Sequence, residues 1–227
     1  EEMCDSTEET SKDERIDRFM SSLTTAGLLQ NLEYEVFELH PVLSGYLRAV
    51  WIPQVKDEEY ERWAHAFVDM MARLADFYGG KELHEQRPPF AVHKGNFQRA
   101  LNMAKHRDMG DHVEALTQAL AIFALNSRDF ADSERLYGRL ANHASDTGND
   151  ELQATVFHQL GMVAAEQHDL ESAEIWHFRS LEVKDKLGNE AGAAQSYHEL
   201  GNTAFYRHDL ESAEEWYRRA LEIRERL

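Results

Sequence analysis

The sequence predicts an all-α chain, a right-handed α-solenoid of helical hairpins with a small N-terminal block carrying a short β-hairpin. Three observations lead there. His168-Asp-Leu-Glu-Ser-Ala-Glu174 recurs letter for letter as His208-Asp-Leu-Glu-Ser-Ala-Glu214, with Leu160-Gly161 answered by Leu200-Gly201 and Trp176 by Trp216, always 40 residues on. A further step back finds a weaker copy in Leu120-Ala121, Ala124, Arg128-Asp129-Phe130 and Tyr137. Near the N-terminus, Leu32 to Leu39 instead shifts toward period two, placing Glu33, Glu35 and Glu38 outward as in a short hairpin strand. A fixed period with several matched positions marks a stacked array in which each unit buries its apolar face against the next.

In chain order, residues 1–11 are polar and acidic and read as a disordered tail. Ile16, Phe19, Met20, Leu23 and Leu28 give the next segment a helical stripe that stops near Gly27. His40-Pro41 ends the strand, and Pro41 suits the first turn of a helix reaching Trp51, closed by Pro53. Tyr60, Trp63, Phe67, Met70, Met71, Leu74 and Phe77 predict one helix over 56–78, broken by Gly79-Gly80. Arg87-Pro88-Pro89 predicts a turn, with a helix resuming over His93 to Met109 and stopping at Gly110. The resulting division is a tail at 1–11, a compact block at 12–56, a divergent hairpin at 57–110 and three repeats at 111–227.

Within the repeats, Gly148-Asn149 and Gly188-Asn189 offer a residue tolerant of positive φ followed by a helix cap. Asp129, Asp169 and Asp209 stand where each second helix begins, as side chains able to accept orphan N–H groups. Gly161 and Gly201 fall in mid-helix, at a cost of about 1 kcal/mol each against alanine. A close helix crossing is the expected compensation.

The ladder of Leu-Gly, Ala, Asp-Leu or Asp-Phe, Ala or Ser133, an aromatic, then Ser180 or Ala220 resembles the tetratricopeptide repeat, a helix-turn-helix unit stacking into a grooved superhelix. The period departs from the usual length of about 34 residues, and the customary late proline is absent from all three copies. A length near 40 is similar to the long-helix variety of kinesin light chains and of C-terminal arrays in bacterial signal-transduction ATPases. HEAT and armadillo units have similar lengths but do not predict this ladder.

A second resemblance lies in Ala-Gly-Leu-Leu-Gln followed by Tyr-Glu-Val-Phe-Glu-Leu-His-Pro-Val-Leu-Ser-Gly-Tyr-Leu, within 26–47. It looks like the winged-helix segment of STAND ATPases of the NB-ARC and NACHT types. The resemblance implies that an upstream nucleotide-binding domain belongs to the full-length parent and that His40 matches the family's nucleotide-sensing histidine. No Gly-x-x-x-x-Gly-Lys-[Ser/Thr] occurs in the chain itself.

Charge and composition narrow the function classes. A balance of 42 acidic against 24 basic residues gives −18, which repels a phosphate backbone and favours, if anything, a basic partner. Residues 12–56 hold five basic and six acidic side chains, so a DNA-reading wing is disfavoured. The single cysteine, Cys4, and the lack of a long apolar run lead to the expectation of a cytoplasmic protein without disulfides, membrane span or cofactor. The 12 histidines invite a metal or enzyme reading, but His158/His198 and His168/His208 are duplication twins on separate hairpins, too far apart for one zinc. No catalytic motif is found.

The expected function is protein recognition, as the sensor arm of a larger signalling ATPase, with a catalytic parent or a winged-helix DNA regulator as alternatives. The family resemblance places peptide or protein ligands in a groove lined by the first helix of each repeat. Its candidate readers are Gln118, Ile122, Leu125, Asn126, His158, Met162, Glu166, Gln195, His198, Asn202, Phe205 and Tyr206.

Overall fold

The computed structural model describes residues 12–31 and 37–227. The expected tail at 1–11 and the central part of the wing stretch, residues 32–36, lie outside them. The chain divides into two compact units between His65 and Ala66, and each is described by itself.

The first unit begins with α1 (Lys12–Thr25), stopped at Gly27, which adopts a left-handed φ of 69°. Strands β1 (Leu29–Asn31) and β2 (Phe37–Leu39) then pair antiparallel, Leu29 opposite Leu39 and Asn31 opposite Phe37. The strand expected as a single run over 32–39 is therefore the second arm of a hairpin whose first arm, Leu29–Asn31, carries no period-two signal. Phe37 and Leu39 are themselves 38% and 39% exposed, so the alternation does not bury an apolar face here. In α2 (Pro41–Tyr46), His40 is the N-cap, its Nδ1 accepting the Val42 N–H at 3.2 Å, and Pro41 sits in the first turn. The helix expected as far as Trp51 is α-helical only to Tyr46, then loosens into a π turn over Leu47–Trp51 and a 3-10 turn over Ile52–Gln54. Pro53 lacks the N–H that would continue an α ladder.

Helix α3 (Asp57–Gly79) leads into α4 (Leu83–Lys105), α5 (Gly110–Asn126), α6 (Phe130–Thr147), α7 (Asp150–Glu166), α8 (Leu170–Lys186), α9 (Glu190–Tyr206) and α10 (Leu210–Arg226). From α4 onward each helix packs on the next, so α5–α6, α7–α8 and α9–α10 are successive hairpins stacked into a solenoid. Val68, Met71 and Ala75 of α3 share one buried core with Phe90, Phe97, Leu116, Tyr137, Leu140, Val156 and Val163.

Two expectations in this unit fail. Pro88 and Pro89 lie inside α4 rather than in a turn. A proline within a helix costs about 3 kcal/mol in lost hydrogen bonding and carbonyl clash, and burial on either side offsets it. Phe90 and Phe97 are fully buried, and Phe90 stacks on Phe123 at 4.5 Å. Gln86, also fully buried, donates to the carbonyls of Gly79 at 3.0 Å and Lys81 at 2.7 Å, while its oxygen accepts from Asn126 at 2.9 Å. One side chain thus ties the end of α3, the start of α4 and the end of α5. Gly110 is likewise the first residue of α5 and not a stop. The stop is Asp108 at φ 53°, in register with Gly148 and Gly188 at 65° and 66°. Met109 N–H closes onto Ala104 O as Asn149 closes onto Ala144 O and Asn189 onto Lys184 O.

The turns inside the hairpins obey the same register through other residues. Arg128, His168 and His208 take φ of 61°, 61° and 62°, and the aspartate after each caps the following helix. Asp129, Asp169 and Asp209 accept the N–H groups of Asp132, Ser172 and Ser212. Asn149 and Asn189 cap α7 and α9 in the same way. Gly161 and Gly201 are indeed sites of close crossing. A Cβ on Gly161 would lie 2.6 Å from His177 Nδ1, and one on Gly201 2.6 Å from the Tyr217 ring.

Candidate functional site

The 40-residue register stacks α7 against α8 and α8 against α9, and between them a cavity of about 240 Å³ opens. Met162, Ala165 and Glu166 enter it from α7, Glu199, Asn202, Thr203 and Tyr206 from α9, His177 from α8, and His168 from the left-handed turn. Spacing explains the grouping, because 162, 165 and 166 share one face of α7, and 199, 202, 203 and 206 recur at i, i+3, i+4 and i+7 on one face of α9.

The polar side of the cavity is built by a hydrogen-bonded chain. The Tyr217 hydroxyl donates to Asn202 Oδ1 at 2.7 Å, and Asn202 Nδ2 donates to Glu199 Oε2 at 2.9 Å. Asn202, expected as a free peptide reader, is therefore oriented by its own chain, and the carboxylate it holds faces the cavity. Glu166 keeps an ion pair of 3.8 Å with Arg128, both well exposed. No Lys or Arg side chain is among the lining residues.

Beneath the cavity lies a buried polar layer. His158 and His177 are 7% and 1% exposed, with ring centroids 5.6 Å apart. Lys184, 6% exposed, donates to Ser196 Oγ at 3.0 Å, and Ser180 Oγ donates to Ala154 O at 2.8 Å. Burial lowers the His158 pKa to about 4, with Lys184 adding to the drop and Glu199 opposing it. Burial, then His158, then Lys184 lower that of His177 to about 3. Burial also lowers Lys184, against the pull of Glu199. Both imidazoles are thus neutral near pH 7, and their Nδ1 atoms lack hydrogen-bond partners among the described residues.

The sequence-predicted readers fall into distinct places. Met162, Glu166, Asn202 and Tyr206 come together in the cavity. His158 lies under it, its Nε2 3.2 Å from the Gln195 amide nitrogen. His198 stands half-buried with its ring 5.4 Å from that of Tyr217. Phe205 turns away, lining a shallower apolar depression with Leu210, Tyr217 and Leu221. In the first repeat, Ile122 and Leu125 pack on the core, Asn126 is spent on Gln86, and Gln118 is half-buried. His40, in the other unit, caps its helix. Glu199, His168 and His177 were missed as site residues. The signal for Glu199 was its position three residues before Asn202, one helical turn away on the same face.

Among the described residues, no cluster of three or more His, Cys, Asp or Glu side chains is arranged to hold a metal ion. No helix among them is long and apolar enough to cross a membrane.

Stacked helical hairpins with capped, register-locked turns define a helical-repeat protein. Residues 152–226 match the family model for the tetratricopeptide repeat. Among solved structures, the crystal structure of BtubC (BKLC) from P. vanneervenii is similar with a TM-score of 0.57 and 22% identity, covering 75% of this chain and 74% of that one. At that identity the likeness shows the fold. No curated protein gives a significant match.

Proposed function

We propose that this chain is a protein-recognition module that holds a segment of a partner protein against the α7–α9 face. The observation that carries the reading is the cavity itself, which gathers Met162, Asn202 and Tyr206, three side chains of the register expected to read a ligand. Met162 offers an adaptable apolar contact, and Tyr206, 64% exposed, an amphipathic anchor whose aromatic area suits a hot spot. The chemistry assigned is binding without catalysis within these residues.

We place this module in a larger signalling ATPase, as its sensor arm in the cytoplasm. The support is the resemblance of residues 26–47 to the winged-helix segment of such proteins, together with a β1–β2 hairpin followed directly by the His40-capped α2. In that parent His40 would sense bound nucleotide. Sequence upstream of Glu1 in the native gene decides this part; its encoding no phosphate-binding loop would refute it.

Recognition is tested by panning a displayed peptide library on the purified chain. Binders are expected to weaken at least about ten-fold, roughly 1.4 kcal/mol, on Tyr206→Ala, and to be indifferent to Glu215→Lys on the outer face of α10. The opposite pattern would move recognition to the other surface.

A further inference from the structure

We infer that the junction between α8 and α9 is a break point built into the array, where the α9–α10 hairpin parts from α7–α8 as one piece under mildly acidic conditions. The observation that carries this is a gap in the apolar core. One buried cluster runs from Val68 of α3 to Val163 of α7, and the next is built on Leu181, Ala193 and Leu200. Between them lie His158, His177, Ser180, Lys184 and Ser196, all buried. Stacking does not require such a layer. In the same register, 40 residues earlier, the α6–α7 junction has Leu140, Ala144 and Val156 where the α8–α9 junction has Ser180, Lys184 and Ser196. Buried imidazoles and a buried ammonium give up hydration that water restores on opening, so this junction is weaker than its apolar counterpart. Leu181, Ala193 and Leu200, with Tyr197 and Trp216 against them, hold it closed together with the Glu174–Arg207 ion pair. Within the hairpin, Tyr217 bonds Asn202 at 2.7 Å and Arg226 pairs with Glu190 at 3.0 Å, so α9 and α10 leave together.

Parting here uncovers particular groups. His158 on α7 loses the Gln195 amide from its Nε2, and Lys184 on α8 loses Ser196, both partners being on α9. The titratable and charged groups facing His158 are His177 and Lys184 from α8 and Glu199 from α9. Glu199 departs with the hairpin, as does His198, half-buried beside Tyr217. His177 keeps its contact with Gly161 of α7. While the layer is closed, burial holds His158 at a pKa of about 4, against about 6.5 in water, so near about pH 5 the open layer takes up a proton that the closed one does not. Acid therefore favours opening. Met162 and Glu166 stand on α7 and Asn202 and Tyr206 on α9, so parting also divides the cavity and releases a segment held across it. That release rests on the recognition reading above; the opening does not.

Hydrogen exchange of the whole chain at about pH 7.5 and about pH 5, followed by mass spectrometry and corrected for intrinsic rates, reads the break. Protection in α9 and α10 should fall at least about ten-fold at the lower pH, while that of α5 and α6 holds. His158→Gln, which copies Gln118 in register, should remove this pH dependence. Lys184→Ala with Ser196→Val, which copy Ala144 and Val156, should raise protection in α9–α10 toward that of α7–α8. Equal loss along the whole array at the lower pH would overturn the inference. So would exchange in α9–α10 that neither set of substitutions alters, because that is ordinary fraying at the end of an array. Library peptides lacking histidine should dissociate faster at the lower pH. If the hairpin opens and they do not, the break point stands and recognition across α7–α9 falls; if they bind through Tyr206 and no opening occurs, recognition stands and the break point falls.

Discussion

Alanine at position 161 tests the packing on which the array rests. In an open helix, Gly→Ala stabilises by about 1 kcal/mol. Position 161 is not open, because the new Cβ would stand 2.6 Å from Nδ1 and 2.8 Å from Nε2 of His177, a ring itself 1% exposed. Overpacking of that kind costs about 1–3 kcal/mol, so the net effect is a loss of about 1 kcal/mol. Gly138 in α6 has nothing within 4 Å of its would-be Cβ, and Gly138→Ala should gain up to about 1 kcal/mol. The two substitutions are therefore expected to differ in sign, by about 2 kcal/mol, or several degrees in Tm for a unit of this size. Thermal melts followed by circular dichroism read the difference, and His177→Ala in the Gly161→Ala background should recover part of the loss. If Gly161→Ala matched the gain of Gly138→Ala, the glycine would not be there for His177.

Three further outcomes follow from the same geometry. His158 and His177 have folded pKa values depressed from 6.5 to about 4 and about 3, so their stabilising neutrality is complete above about pH 6.5 and is lost as pH falls toward those values. Between about pH 7.5 and about pH 5 each ring should cost about 2 kcal/mol; urea midpoints should fall accordingly, and less steeply in His177→Phe, with Lys184 and Glu199 the charged neighbours that set the residual slope. Gln86→Ala removes the partners of Gly79 O, Lys81 O and the Asn126 amide, and should cost at least about 2 kcal/mol with faster amide exchange at the α3–α4 junction. Asn149→Ala removes the cap on Leu152 N–H and should cost about 1 kcal/mol in chemical denaturation, while a change of a few tenths would indicate that water replaces the cap.

What the sequence revealed depended on whether a residue's effect is local. Gly148, Gly188 and the asparagines after them announce a left-handed stop and a cap by their own chemistry, and the structure has both there. Arg128, His168 and His208 adopt the same left-handed geometry with no such advertisement, since the residues around them fix the turn and the side chain merely tolerates it. Pro88 and Pro89 sent the opposite false signal. Their cost to a helix is local, and the burial of Gln86 and Phe90 that overrides it is tertiary. At the site, periodicity put Met162, Asn202 and Tyr206 on one surface, but it cannot tell a free amide from one already held at both ends. Only the approach of Tyr217 from the next helix reveals that Asn202 is a support for Glu199.

The three copies share a scaffold, so the residues that differ between them must carry whatever distinguishes their surfaces. Tyr137, His177 and Tyr217 occupy one register position; His177 is pressed against Gly161 and Tyr217 against Gly201, while Tyr137 shares a buried core with Ala121, the register partner of the two glycines. The residue after that small one is Ile122, Met162 or Asn202. Only the last is polar, and only there does the ring's polar atom find a bond, Tyr217 to Asn202. The Tyr137 hydroxyl and His177 Nδ1 are left without partners among the described residues. In the first copy the consequence stays inside the core, because Tyr137 is 1% exposed and Ile122 packs over the cluster. In the second, the His177 ring borders a cavity whose other walls come from α7 and α9, while its Nδ1 is closed off with the ring packed on Gly161. Stacking alone would make every such position equivalent. At this junction a ring bordering open space in one repeat meets a carboxylate oriented from the next, and this is the face on which we propose that a partner segment is held.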